Sequence, residues 1–135
     1  MKFTPELYCL TLISAATALM WVPYVLARMT THGVMRAIGT PGACYPVDAP
    51  WADRARRAHI NAIENLVVFA PLVLVGAIID VSNRATVLSA QVYVVARLAH
   101  YVIYAAGIPV IRTFAFLTGA CATIVLAIAL LLSRT

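Results

Sequence analysis

Two stretches of this chain run for 21 positions without a charged residue: Leu7–Ala27, bounded by Glu6 and Arg28, and Thr113–Ser133, bounded by Arg112 and Arg134. A helix rises about 1.5 Å per residue, so about 20 residues cross the hydrocarbon core of a bilayer. Each stretch is long enough. The chain is therefore read as an all-α integral membrane protein.

The soluble alternative fails on composition. A chain of 135 residues that is 63% hydrophobic and 11% charged would have to hide nearly all of that surface in one small core. The formal charge of +5 does not point to nucleic acid either, because the arginines are scattered around hydrophobic runs and form no basic stripe. Membrane topology explains them better. A cleaved signal peptide is the other reading of the N-terminus, since Lys2 and Ala16-Thr17-Ala18 imitate one. The apolar run continues through Trp21 and Tyr24, however, and Glu6 sits where a basic region would be, so a retained helix is expected.

Four transmembrane helices follow in order, at about 5–28, 52–79, 85–106 and 110–133, in a single domain. Pro23 is expected to kink the first, with the freed carbonyl satisfied by neighbouring helices, and Pro71 to kink the second. The stretch 29–51 collects Gly33, Gly39, Pro41, Gly42, Pro46 and Pro50 and reads as a loop with room for a short helix. Asp53 is a candidate cap for the helix after it, and Tyr45 and Trp51 suit an interfacial belt. Arg28, Arg36, Arg54 and Arg56 lie in or beside this loop and Arg112 adds to the later turn, so the positive-inside rule places both in the cytoplasm and the termini outside. Cys9, Cys44 and Cys121 have no disulfide or metal spacing and are read as free thiols; no metal motif occurs.

With that topology the unusual residues meet at the cytoplasmic end. Arg28 closes the first helix. Arg57, Asn61 and Glu64 open the second at i, i+4, i+7 on one face, with His59 off that face. Arg97, His100 and Tyr104 share a face of the third at i, i+3, i+7, and Arg112 and Thr113 open the fourth. Arg97 lies about 15 Å from its helix end, too deep to snorkel, so it needs a buried partner. Glu64, read as the only intramembrane carboxylate, is the expected partner; the plain alternative is that such a pair only fastens two helices. His59 is read as structure, His100 as able to touch a ligand, and Tyr104 as cavity lining or an interfacial anchor. A pocket ringed by Arg28, Arg57, Arg97 and Arg112 with one carboxylate suits a small anionic ligand carrying one ammonium group, such as a tripeptide with two carboxylates.

Arg57-Ala-His-Ile-Asn-Ala-Ile-Glu64, Arg97-x-x-His-x-x-x-Tyr104 and Arg112-Thr113 together resemble the MAPEG family, the membrane-associated proteins in eicosanoid and glutathione metabolism, over essentially the whole chain. The resemblance implies a four-helix bundle assembled as a homotrimer, with glutathione bound between neighbouring subunits. Asn61, Glu64, His100, Tyr104, Arg112 and Thr113 would contact glutathione. Arg28 would reach a carboxylate and Arg97 would support the site. Arg112, helped by the Thr113 hydroxyl, would stabilise the thiolate, since a free thiol with pKa about 8.5 needs adjacent positive charge to ionise near neutrality.

Ile60 stands where the prostaglandin E synthase branch carries another arginine, and Tyr104–Arg112 is one residue shorter than there. The resemblance is thus closer to microsomal glutathione transferase, in a bacterial inner membrane, with periplasmic termini and a cytoplasmic site. The expected activity is a transferase acting on apolar electrophiles, or a peroxidase reducing lipid hydroperoxides, with the second substrate arriving from membrane lipid. The alternatives are a non-catalytic lipid-binding or scaffold protein and, last, a small transporter, which would need polar residues through the full membrane depth. Ala115, Gly119 and Thr123 form a small-residue row that would permit close helix contact between subunits.

Overall fold

The computed structural model describes residues 2–39 and 48–133, all helical apart from the connections between helices. In chain order the helices are α1 (Pro5–Leu19), α2 (Val22–His32), α3 (Val34–Ala37), α4 (Pro50–Ile78), α5 (Arg84–Ala106) and α6 (Pro109–Leu132). With α1 and α2 counted as one span, four helical spans are long and apolar enough to cross a membrane.

The first span starts at Thr4, whose side chain accepts from the Leu7 amide at 3.4 Å, with Pro5 next to it where no amide is needed. It breaks at Met20–Trp21, ahead of Pro23 in the first turn of α2. Pro23 has no N–H to give the preceding turn. Tyr101 of α5 donates to the Met20 carbonyl at 2.8 Å, so a neighbouring helix supplies a partner at the break.

The stretch expected as a loop from 29 is helical at its start. Residues 28–32 contain no breaker, so α2 continues to His32, and Gly33 at φ 84° stops it before the short α3. Asp53 does not cap α4, which begins at Pro50 behind Ala49. It sits in the first turn instead and pairs with Arg56 at 3.3 Å and Arg57 at 2.8 Å. There its charge also suits the positive end of the helix. Cys44, Tyr45 and Arg134 lie outside the described residues, as do Pro41, Gly42 and Pro46; Cys9 and Cys121 are free thiols.

Between α4 and α5 the chain turns through Asp80 (φ 55°), and Asn83 opens α5 with a reciprocal capping box to Thr86. At the other end Gly107 closes α5 in the left-handed region, φ 82°, and Arg54 of α4 donates its Nε to the Ala105 carbonyl at 3.0 Å. A Cβ on Gly107 would come within 3.1 Å of that guanidinium, so this turn needs glycine twice over.

α5 is central and packs against α1, α4 and α6. Its Tyr93 stacks on Phe69 of α4, ring centroids 3.7 Å apart, within a core that includes Leu7, Ile13, Val73 and Leu126. The outer faces carry exposed Val67, Val95, Leu117 and Leu131, as lipid contact requires. The antiparallel spans bring the end of α2 and the starts of α4 and α6 to the same end of the bundle as the end of α5.

Candidate functional site

Two adjoining hollows open at that end. The smaller, about 230 Å³, is lined by Asn61, His100, Tyr104, Arg112, Thr113 and Phe116. The larger, about 460 Å³, is lined by Asp48, Asp53, Arg54, Arg57, Tyr104 and Arg112, with Pro50. Tyr104 and Arg112 belong to both.

These side chains arrive from three helices for local reasons. The short turn after Gly107 places Arg112 and Thr113 one turn inside α6, beside the last turns of α5. Arg112 then lies with its guanidinium carbon 4.6 Å from the centroid of the Tyr104 ring, a cation–π distance. His100 is 4% exposed and sits edge-on to Tyr104, 5.5 Å between centroids, with Phe116 at 6.0 Å on another side. The Thr113 hydroxyl donates to the Pro109 carbonyl at 3.3 Å, a long bond readily exchanged.

The cations here differ in what they already hold. Arg57 and Arg56 share Asp53. Arg28 pairs with Asp48 at 3.2 Å, and His32 Nε2 lies 3.2 Å from the same carboxylate. Arg54 serves the Ala105 carbonyl. Among the hollow-lining arginines, Arg112 alone has a guanidinium with no hydrogen bond or ion pair to a described residue; only its main-chain amide is bonded, to the Ile108 carbonyl. Three arginines against two aspartates leave the larger hollow with one surplus positive charge. An anion is the ligand such a lining can hold.

Deeper in, Arg97 is 1% exposed, yet its partner is not Glu64. Its Nη2 donates to Asn65 Oδ1 at 2.7 Å, and Nη1 reaches Asn61 Oδ1 at 3.5 Å. Glu64 is exposed, faces away from this cluster and forms no ion pair among the described residues. Helical phase explains the correction: Asn61 and Asn65 are four apart and stack on the face turned to α5, while Glu64 lies about 60° from Asn61 and about 100° from Asn65, on the flank away from that face. Arg97 also lies against the rings of Tyr93 and Phe116, at 5.4 and 5.2 Å, and over Gly119 of α6. Gly119, expected to serve contact between subunits, thus makes room for a side chain of its own chain.

Of the residues singled out in the sequence, Asn61, His100, Tyr104, Arg112 and Thr113 share the smaller hollow and Arg57 the larger. Arg28, Glu64 and Arg97 line neither. His59 accepts or donates at Nδ1 to the Tyr24 hydroxyl, 3.0 Å away, and ties α4 to α2. Asn65, Phe116, Gly119, Arg54 and Asp48 went unrecognised. Two had a readable signal, since Asn65 repeats Asn61 at i+4 and Phe116 repeats Arg112 at i+4.

The opposite end also holds a buried carboxylate that sequence reading passed over. Glu6 is 4% exposed, and Oε1 accepts from Thr86 at 2.5 Å while Ser82 donates to both oxygens at 3.0 and 3.1 Å. Glu64 is therefore not the only carboxylate within the spans. Among the described residues, no group of three His, Cys, Asp or Glu could hold a metal ion.

Compared with known families, residues 7–132, nearly the whole chain, match the family model described as MAPEG family. No curated protein matches the chain.

Proposed function

Since the chain belongs to the MAPEG family, membrane proteins of glutathione and eicosanoid metabolism, we propose that it is a glutathione-dependent membrane transferase or peroxidase. The observation that carries this reading is Arg112, a cation without a described hydrogen-bond or ion-pair partner at the junction of two polar hollows. Glutathione would lie across them with its sulfur beside Arg112. The guanidinium favours the thiolate over the thiol, and the Thr113 hydroxyl turns from the Pro109 carbonyl to donate to the sulfur. Arg57, and Arg28 beyond it, would exchange their aspartate partners for the carboxylates of the tripeptide, a like-for-like replacement that costs little charge separation.

The second substrate is an apolar electrophile or a lipid hydroperoxide reaching the thiolate from the bilayer. A groove of about 380 Å³ between α5 and α6, lined by Val92, Val95, Ala99 and Ala115 among others, supports this route because its lining is almost wholly apolar. Attack of the thiolate on carbon gives the conjugate and releases the leaving group. Attack on a peroxide oxygen gives the alcohol and a glutathione sulfenic acid, which a second glutathione converts to the disulfide and water.

A homotrimer belongs to the same proposal. Glu64 stands exposed at the midpoint of α4, a 29-residue spanning helix. A carboxylate facing hydrocarbon at that depth is costly, so a neighbouring subunit covers it and brings it to the glutathione ammonium at the shared boundary. The arginine-rich end faces the cytoplasm of a bacterial inner membrane by the positive-inside rule.

Calorimetric titration of the detergent-purified protein with reduced glutathione, with Arg112→Ala as control, tests the reading. Saturable binding is expected, with turnover lost in the variant by more than affinity is lost. Absence of binding to well-folded oligomer would overturn it and leave a lipid-binding or scaffold role.

A further inference from the structure

We propose that Arg97 is a positioning residue that fixes the Asn61 carboxamide with its oxygen turned into the protein and its NH2 group left for a ligand in the smaller hollow. The proposal rests on the glutathione reading only for the identity of that ligand.

The chemistry of the donors fixes the orientation. A guanidinium has five N–H groups and no acceptor, so whatever faces it must be oxygen. Arg97 Nη2 faces Asn65 Oδ1 at 2.7 Å, which commits Asn65. Its Nδ2 is thereby turned to Asn61 and donates to the Asn61 main-chain carbonyl at 2.7 Å and to Oδ1 at 3.3 Å. Arg97 Nη1 points at the same Oδ1, 3.5 Å away. Two groups that can only donate converge on one end of the Asn61 amide. Turning that amide over would set its NH2 against both. The Asn61 NH2 makes no hydrogen bond to a described residue, and Asn61 lines the hollow beside Arg112. The hollow therefore offers donors from two helices and selects an acceptor, a carboxylate or peptide carbonyl, over an ammonium group.

The guanidinium is itself held in place by packing rather than by a countercharge. It lies between the Tyr93 and Phe116 rings, and its Nε is buried without a hydrogen-bond partner among the described residues. A Cβ on Gly119 would fall 2.8 Å from Nε and 3.0 Å from the guanidinium carbon. Glycine at this position lets Arg97 reach the two asparagines. A carboxylate partner would have neutralised Arg97 and ended the chain of contacts there; neutral amides pass its polarity on to the hollow.

The test uses the full-length protein in detergent with isotope-labelled asparagine, of which the chain has three, Asn61, Asn65 and Asn83. Gly119→Ala, Arg97→Met and Arg97→Lys are compared with wild type by the Asn61 side-chain amide resonances and by titration with reduced glutathione. In Gly119→Ala and Arg97→Met the Asn61 resonances should move to the position of a freely rotating amide, and glutathione affinity should fall about tenfold, the effect of one lost hydrogen bond to a charged group. Arg97→Lys, which keeps a single donor nitrogen, should recover part of both. Glutathione bound at saturation should still ionise as in wild type, because Arg112 is untouched; a general loss of structure would not spare it. Should Arg97→Met fail to fold, Gly119→Ala decides, since it displaces only the tip of a flexible side chain. Unchanged Asn61 resonances in that variant would overturn the proposal. A constrained Asn61 amide released by Gly119→Ala in a protein that binds no glutathione would uphold the relay and sink the glutathione reading instead.

Discussion

At one end of the bundle the Glu6 carboxylate is buried and its oxygens are taken up by Ser82 and Thr86. At the other, Arg112 stands at a hollow with no described partner but the face of Tyr104. Both are charged groups near the mouth of a span, and both would be costly to leave bare in lipid. They differ in whether the fold completes them. The hydroxyls around Glu6 come from the α4–α5 turn and the first turn of α5, so its hydrogen bonds fasten α1 to that turn and leave nothing over. Around Arg112, the nearby carboxylates of Asp48 and Asp53 are held by Arg28, Arg56 and Arg57, and the capacity left open is positive. A polar group satisfied from within reports on assembly of the chain; one left open beside a cavity reports on a ligand.

The sharpest way to break this contrast is Arg112→Ala. If Arg112 faces the glutathione thiolate as proposed, its removal should lower turnover about 10²-fold or more, measured with a chromogenic electrophile, while the melting temperature stays near wild type. Glu6→Ala should do the reverse. Two hydroxyls lose a charged acceptor, so stability should fall by about 2 kcal/mol in chemical denaturation, with glutathione affinity unchanged. Loss of glutathione binding in that variant would mean the two ends are coupled.

Smaller changes refine the picture between the ends. Tyr24→Phe removes the hydroxyl bonded to His59 and should cost about 1 kcal/mol of stability or less without touching turnover. Arg57→Ala breaks an exposed pair and should alter stability by no more than about 0.5 kcal/mol. If Arg57 exchanges Asp53 for a ligand carboxylate, glutathione affinity will nonetheless fall severalfold, and the loss will shrink as salt is raised. An Arg57→Ala protein with full affinity would remove Arg57 from the site.

Apolar length and arginine placement made the four spans and the polar end legible in the sequence, because a bilayer constrains both directly. Arg97's need for a buried partner was legible too, from its depth. The partner was not. Spacing puts Glu64 on the face of Arg57 and Asn61, but which flank of that face meets α5 depends on how α4 is rotated in the bundle, and no single helix encodes that. The same limit hid Glu6, which bounds an apolar run in the sequence but is reached in space by residues about eighty positions away. Gly119 read as a packing residue because small side chains look alike on paper; its occupant, the Arg97 guanidinium, comes from another helix. The end of the first span was misplaced for a local reason: proline and glycine further on drew the loop forward, although 28–32 hold no breaker.

Whether the open valence at Arg112 stabilises a glutathione thiolate can be read by titrating the ultraviolet thiolate absorbance of protein-bound glutathione with pH, in wild type and Arg112→Ala. Bound glutathione should ionise well below the value of about 8.5 for a free thiol, so that thiolate is present above the lowered value and lost as pH falls through it. Arg112→Ala should return ionisation to the free value. Bound glutathione that ionises like free glutathione in the wild-type protein would rule out a thiolate-stabilising role for Arg112.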